Sequence, residues 1–364
     1  MNFNAFEPGV LLQTLYIFLL IFVTLKRYGL SNRKNKTIFL IFVVIQVLLG
    51  GLRGYNVGSD TGTYVHYITM MEDWDFSQVF LYHMAKDPIF YIMVRAIMYV
   101  NTDYTWVFFV FQTLFWGAVS YIIYRYSRSC LLALLLFVAF RYHFMAWSAM
   151  RQGIALAIVF FSFKYIDEGK FFEFLLTISV AAIFHLTAVV FLLFYFMRRM
   201  TIYNNIGLTV ILGMVTIVSP ILVSSLLGGD NYYAQYIESK KGDNYFAIIT
   251  NVIAFLFVFY NIHRIKVDKE MNILYNFSLV SFLLTLMTFR VSIAFRLAMY
   301  FGYFLPVIMS NLALLKHKGR SSVGIIVACV FIIYIITGVP VGIDEYKFFW
   351  EINLRDLNWT PPVK

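Results

Sequence analysis

Four arginines stand where apolar runs begin or end: Arg53 closes 37–52, Arg151 opens 151–166, and Arg290 and Arg296 lie between two later runs. A single interfacial arginine is ordinarily a snorkelling anchor with its head among lipid phosphates. Four on one face of a membrane weigh towards a site for an anion. Arg151 is the most telling, because Ser148-Ala-Met-Arg151-Gln152-Gly153 places it in the first turn of an expected helix. The helix dipole disfavours a cation there unless an anion is bound, and guanidinium groups beside free helix N–H groups suit a diphosphate.

Two residues could move a proton beside such a site. Asp60 lies in the glycine-rich stretch Gly50–Tyr64, where it can cap a starting helix, pair with an outer-face arginine, or act as general base towards an acceptor hydroxyl. Tyr64, four residues on, would share its helix face. His185 sits inside an apolar run, where an imidazole either bonds a neighbouring carbonyl or does chemistry. Position favours Asp60, and the near-neutral titration of imidazole favours His185. Asp60 is the preferred base, with His185 orienting the site or the diphosphate.

The remaining histidines, 66, 83, 143, 263 and 317, have no metal-ligand spacing, and no phosphate-binding glycine loop, nucleophile elbow or Cys-x-x-Cys occurs, so neither metal nor cofactor is expected. Cys130 and Cys329 lie in separate apolar runs and read as buried thiols.

The elements that must hold these residues are set by composition. Of 364 residues, 61% are hydrophobic and 13% charged, about half the usual charge, and the mean hydropathy is +0.76. The solvent of most of this chain is therefore lipid. The net charge of +10 comes from short clusters between apolar runs rather than from a basic stripe, which argues against nucleic acid. Apolar runs at 9–25, 37–52, 106–124, 129–147, 151–166, 206–228, 246–262, 271–289, 297–315 and 322–340 are candidate spans. The loop 26–36 carries five basic residues and no acid, which places it in the cytoplasm and the N-terminus outside. The clusters Arg125/Arg128, Arg198/Arg199, Arg264/Lys266/Lys269 and Lys316/Lys318/Arg320 become cytoplasmic too if 171–197 crosses twice, breaking at Phe184-His185. The short piece 88–100, with Arg95, must then be interfacial or re-entrant. The expectation is an all-α polytopic membrane protein, GT-C-like, with about 12 crossings, both termini outside, and one integral membrane domain over 1–364. The first 25 residues lack a signal-peptide pattern and should remain as helix 1. The outer segment 53–105, the loop 229–245 and the tail 341–364 can build a site open to water.

The chain resembles the EpsG-type family of bacterial polysaccharide polymerases, related in role to the Wzy O-antigen and capsule polymerases. The resemblance rests on Arg53 with Val57-Gly58-Ser59-Asp60-Thr61 and Tyr64, on Asp87-Pro88-Ile-Phe90-Tyr91, and on Met150-Arg151-Gln152-Gly153-Ile-Ala155. Ala182-Ile-Phe184-His185-Leu-Thr-Ala188 and Arg296 with Tyr300 complete it. Thr187 replaces a common serine, and Asp87 an acid more often glutamate. The resemblance implies a metal-independent glycosyltransferase in the bacterial cytoplasmic membrane with its site outside. It would join undecaprenyl-diphosphate-linked oligosaccharide repeats, the donor to the acceptor, for capsule, O-antigen or exopolysaccharide. A flippase and a chain-length regulator are expected partners. On this reading Arg53, Arg151, Arg290 and Arg296 hold the diphosphate, Asp60 and His185 are catalytic, and Tyr64, Gln152 and Tyr300 support them. A lipid-linked oligosaccharide flippase and an O-antigen ligase share the donor chemistry and stand as alternatives; an O-acyltransferase would leave the arginines without a purpose.

Overall fold

The computed structural model describes residues 8–83, 87–198, 245–261, 269–288, 294–315, 322–337 and 346–352. Among them lie sixteen α-helices and no strand, only an isolated antiparallel bridge between Arg53 and Phe348. Helices are the form in which an apolar chain satisfies its own backbone in lipid. Large exposed apolar side chains such as Leu15, Leu19 and Phe22 on α1 (Pro8–Arg27) are the lipid-facing surface.

α2 (Asn32–Gly51) ends in two glycines because α6 (Tyr104–Tyr126) lies directly against it. A Cβ on Gly51 would come 2.4 Å from the Phe109 ring. α7 (Cys130–Ala139) is apolar on every side and buried along its length, so it forms the middle of the bundle. Two asparagines saturate the turn that leads into it: Asn32 accepts from Cys130 N and donates to Ser127 O, while Asn311 accepts from Arg128 N and donates to Tyr126 O.

Three of the apolar runs are broken, two of them read from sequence as continuous and the third, 171–197, expected to break at Phe184-His185. The run 129–147 divides into α7 and α8 (Tyr142–Ser148), bent by 57°, with Arg141 at φ +60° in the gap. The run 297–315 falls into Ala294–Gly302 and Leu305–Leu314 at 40°, where Pro306 opens the second piece. The run 171–197 breaks at His185 (φ −159°, ψ 112°), between α10 (Phe171–Phe184) and a 3₁₀ segment, Leu186–Leu192, that leads into α11 (Leu193–Met197). Phe171 meets Tyr195 at 4.9 Å and Phe174 meets Phe191 at 6.2 Å, so the arms run antiparallel and His185 is the tip of a hairpin. Each arm is roughly 21 Å long, short of the ~30 Å hydrocarbon core. Three described helices are long and apolar enough to cross a membrane, or five if each bent pair is one span, and the expected twelve crossings are not reached among the described residues. The run 206–228, the loop 229–245 and Arg290 lie outside them.

α9 (Met150–Glu168) and α10 are joined by the Gly169 turn (φ +80°), whose carbonyl accepts from the Tyr195 hydroxyl at 2.5 Å. Arg151 and His185 therefore share the opposite end of this unit. The segment 53–105 folds there as three short helices, α3 (Thr61–Met70), α4 (Phe76–His83) and α5 (Pro88–Met98). Their core of Tyr64, Val65, Ile68, Val79, Phe90 and Val94 packs on α6 and on Met150 and Ile154. α5 is the short helix of 88–100, and at about 16 Å it is too short to span.

Candidate active site

Asp87 is the centre of the site. It precedes Pro88 and occupies the N-cap position of α5 without a side-chain capping bond, at φ 54° and ψ 54°, a left-handed conformation that aspartate tolerates better than most residues but that the following proline does not favour. Such a backbone persists only where its surroundings hold it. The carboxylate is engaged from two sides: Oδ2 accepts from Arg151 Nη1 at 3.0 Å and faces His185 Nδ1 at 3.4 Å. The three side chains are 18%, 26% and 16% exposed, so the cluster is half-buried. An ion pair at that exposure is worth on the order of 1 kcal/mol, too little to explain a strained backbone as a stability device. His185 Nε2, the other ring nitrogen, is buried and has no hydrogen-bond partner among the described residues.

Around this centre the expected supporting residues converge. Gln152 Nε2 donates to Arg296 O at 2.7 Å, which ties the first turn of α9 to the helix Ala294–Gly302. Thr187 Oγ1 and the Tyr300 hydroxyl are 3.1 Å apart, pinning the residue pair beyond the hairpin tip. Tyr64 is buried on α3; burial raises its hydroxyl pKa and the Arg151 guanidinium works against that rise.

Arg53 lies elsewhere. It is 0% exposed, donates to the Gly50 carbonyl and, at 3.0 Å, to Trp147 O, and stacks 4.1 Å above the Phe108 ring. Its backbone is bridged to Phe348, and Gly54 N donates to Lys347 O at 2.7 Å. Arg53 thus binds backbone carbonyls rather than the Asp87 cluster. Trp147 O also accepts from Thr61 Oγ1 at 3.2 Å, and Ser59 N donates to Ser148 Oγ. The motif Val57–Thr61 is therefore docked on the junction between α8 and α9, three residues before Arg151. Gly58 (φ +103°) is required there, since a Cβ would lie 2.7 Å from Thr61 Oγ1 and 3.2 Å from Ser148 Cα.

Asp60 occupies the N-cap position of α3 without capping it; its carboxylate accepts from the Ser59 hydroxyl at 3.1 Å and makes no ion pair with a described residue. Reading by spacing passed over Asp87 as a site residue. The available signal was the acid-proline pair opening a short helix outside the spans.

A family model matches residues 36–349, and it is that of the EpsG family. The chain belongs to the EpsG family. The EpsG match runs through Arg53, Asp60, Asp87, Arg151, His185 and Arg296 together, so the clustered residues and the docked loop all lie within it. EpsG membership and the apolar helices make this a membrane protein of polysaccharide-polymerase type. No curated protein and no solved structure matches the chain, and the GT-C-like expectation accordingly has no structural relative behind it.

Proposed function

We propose that this EpsG-family protein elongates a polysaccharide by joining lipid-diphosphate-linked oligosaccharide repeats at the outer face of the cytoplasmic membrane. The observation that carries the reading is the sharing of Asp87 Oδ2 by Arg151 and His185. A lipid diphosphate is its own leaving group and needs positive charge as the glycosyl–oxygen bond breaks, which guanidinium groups supply without a metal. Arg151, at the N-terminal turn of α9, is placed for that role, with Arg296 beside it across the Gln152 bridge and Arg290 as a further member. Arg53 serves the same end by fixing Trp147 and hence the start of α9.

His185 is the better candidate for the base. Asp87 can hold Nδ1–H, and unpartnered Nε2 is then the atom that takes the proton from the acceptor hydroxyl while that oxygen bonds to the anomeric carbon. The pairing also suggests an order of events. An arriving diphosphate draws Arg151 away from Asp87, and the freed carboxylate then acts on His185 alone, so the base is strengthened when donor is present. Asp60 becomes an orienting residue of the docked loop.

The test is a reconstituted assay with defined lipid-linked repeats. The protein should yield a ladder of extended glycans, and His185→Gln should still bind repeats while losing about 10²-fold or more in turnover, with Asp60→Asn losing much less. Repeats translocated but never extended would identify a flippase instead. Transfer to a lipid A core would identify a ligase.

A further inference from the structure

We infer that Tyr67, Trp74, Tyr82, His83 and Tyr91 form a subsite for the sugar rings of the glycan that reaches the Asp87–Arg151–His185 cluster. The inference rests on the function proposed above and adds where the glycan lies. Tyr91 stands one helical turn after Asp87 on α5 and is 4% exposed. The His83 ring stacks on it at 3.5 Å and 9°. Tyr67 meets both edge-on, at 5.5 Å and 5.1 Å. Tyr82 meets His83 at 4.9 Å and Trp74 at 5.0 Å, and is 58% exposed. A continuous run of ring contacts therefore leads from Tyr91, one turn from the half-buried Asp87, to the exposed Tyr82 and Trp74. Burial raises the hydroxyl pKa of Tyr67 and of Tyr91, and the positive charge of Arg151 works against the rise in both.

Aromatic faces bind the C–H faces of pyranose rings, and the hydroxyls of such rings need polar partners beside them. The wall has one in reserve: His83 is 4% exposed, and its Nε2 has no hydrogen-bond partner among the described residues. A buried polar atom of that kind is costly unless a ligand or water meets it.

The wall is also rigid. Arg95, itself buried, donates Nε–H to Trp74 O at 2.5 Å. Asp75 accepts from Gln78 N at 2.8 Å while Gln78 Oε1 accepts from Asp75 N at 2.8 Å, a reciprocal cap that fixes the start of α4. Exposed aromatics near a membrane commonly sit among lipid headgroups. Here Trp74 is bracketed by the exposed acids Glu72, Asp73 and Asp75, which repel an anionic lipid surface and accept hydrogen bonds from sugar hydroxyls.

The probe is the lipid-free oligosaccharide released by mild acid from the producing strain's own lipid-linked repeats. It is titrated calorimetrically into the full-length His185→Gln protein, where no turnover competes. Trp74→Ala and Tyr82→Ala, made in that background, should each weaken binding by about 5- to 10-fold, and in the His185 protein they should raise KM for acceptor with kcat retained. Unchanged glycan binding in both variants overturns the subsite, and so does a loss confined to partition into anionic vesicles. If His185→Gln turns over normally while the aromatic variants still lose glycan, the assigned base fails and the subsite stands.

Discussion

Asp87 Oδ2 lies 3.0 Å from Arg151 Nη1, although 64 residues separate the two in sequence. The contact joins the N-terminus of the short helix α5 to the first turn of α9, and its third member, His185, comes from the tip of a broken hairpin. Three elements therefore have to be docked correctly before the site exists.

If Asp87 orients His185 and Arg151 meets phosphate, as proposed, variants at either residue fail in chemistry rather than in folding. Asp87→Asn should lower turnover about 100-fold at normal protein level. Arg151→Lys should also lower it strongly, since an ammonium cannot reproduce the planar fork. Glycan chain length in vivo and turnover in reconstituted membranes measure both. Near-normal chains from Arg151→Lys would leave Arg151 as a lipid anchor.

Two glycines should respond to alanine with opposite sign. Gly58→Ala forces a Cβ at positive φ against Thr61 and the Ser148 backbone, and should cost about 1–3 kcal/mol, loosening the α8–α9 junction and lowering activity. Gly117→Ala on α6 meets nothing within 4 Å and should stabilise by about 0.5–1 kcal/mol. Thermal unfolding in detergent compares them directly.

The histidine of the aromatic wall sets a pH dependence. Burial, reinforced by the positive charge of Arg151, lowers the His83 pKa from 6.5 to about 4. Its neutral form is favoured in the fold, so stability is fully present above pH 6.5 and is lost as the pH falls from there towards 4. Tyr67, Tyr82 and Tyr91 pack on the ring and no carboxylate among them offsets the charge. Protection factors across 61–83, taken relative to the intrinsic exchange rate at each pH, should fall between pH 6.5 and 4.5, and His83→Phe should flatten that response.

Topology is tested by impermeant thiol reagents. Cysteines at the exposed positions Glu72 and Thr102 should label in intact cells, and one at Lys170 should label only after lysis. Protection of both outer positions reverses the orientation of the site.

Composition alone determined that lipid is the solvent, since so few charges cannot cover a chain of this length in water, and in lipid only helices satisfy the backbone. Basic loops predicted which ends face the cytoplasm, a property that depends on local charge and needs no tertiary contact. Motif order sufficed for the family, and the break at Phe184-His185 was visible because an ionisable ring interrupts an apolar run. The tertiary structure decided the rest. Arg53 and Arg151 look alike in sequence, each an arginine at the end of an apolar run; only the packing of Phe108, Trp147 and the 346–352 segment buries one, while the other reaches Asp87. Asp60 and Asp87 are both acids before short helices. A carboxylate gains its role from what lies within 4 Å of it, and those neighbours come from elements far apart in the chain.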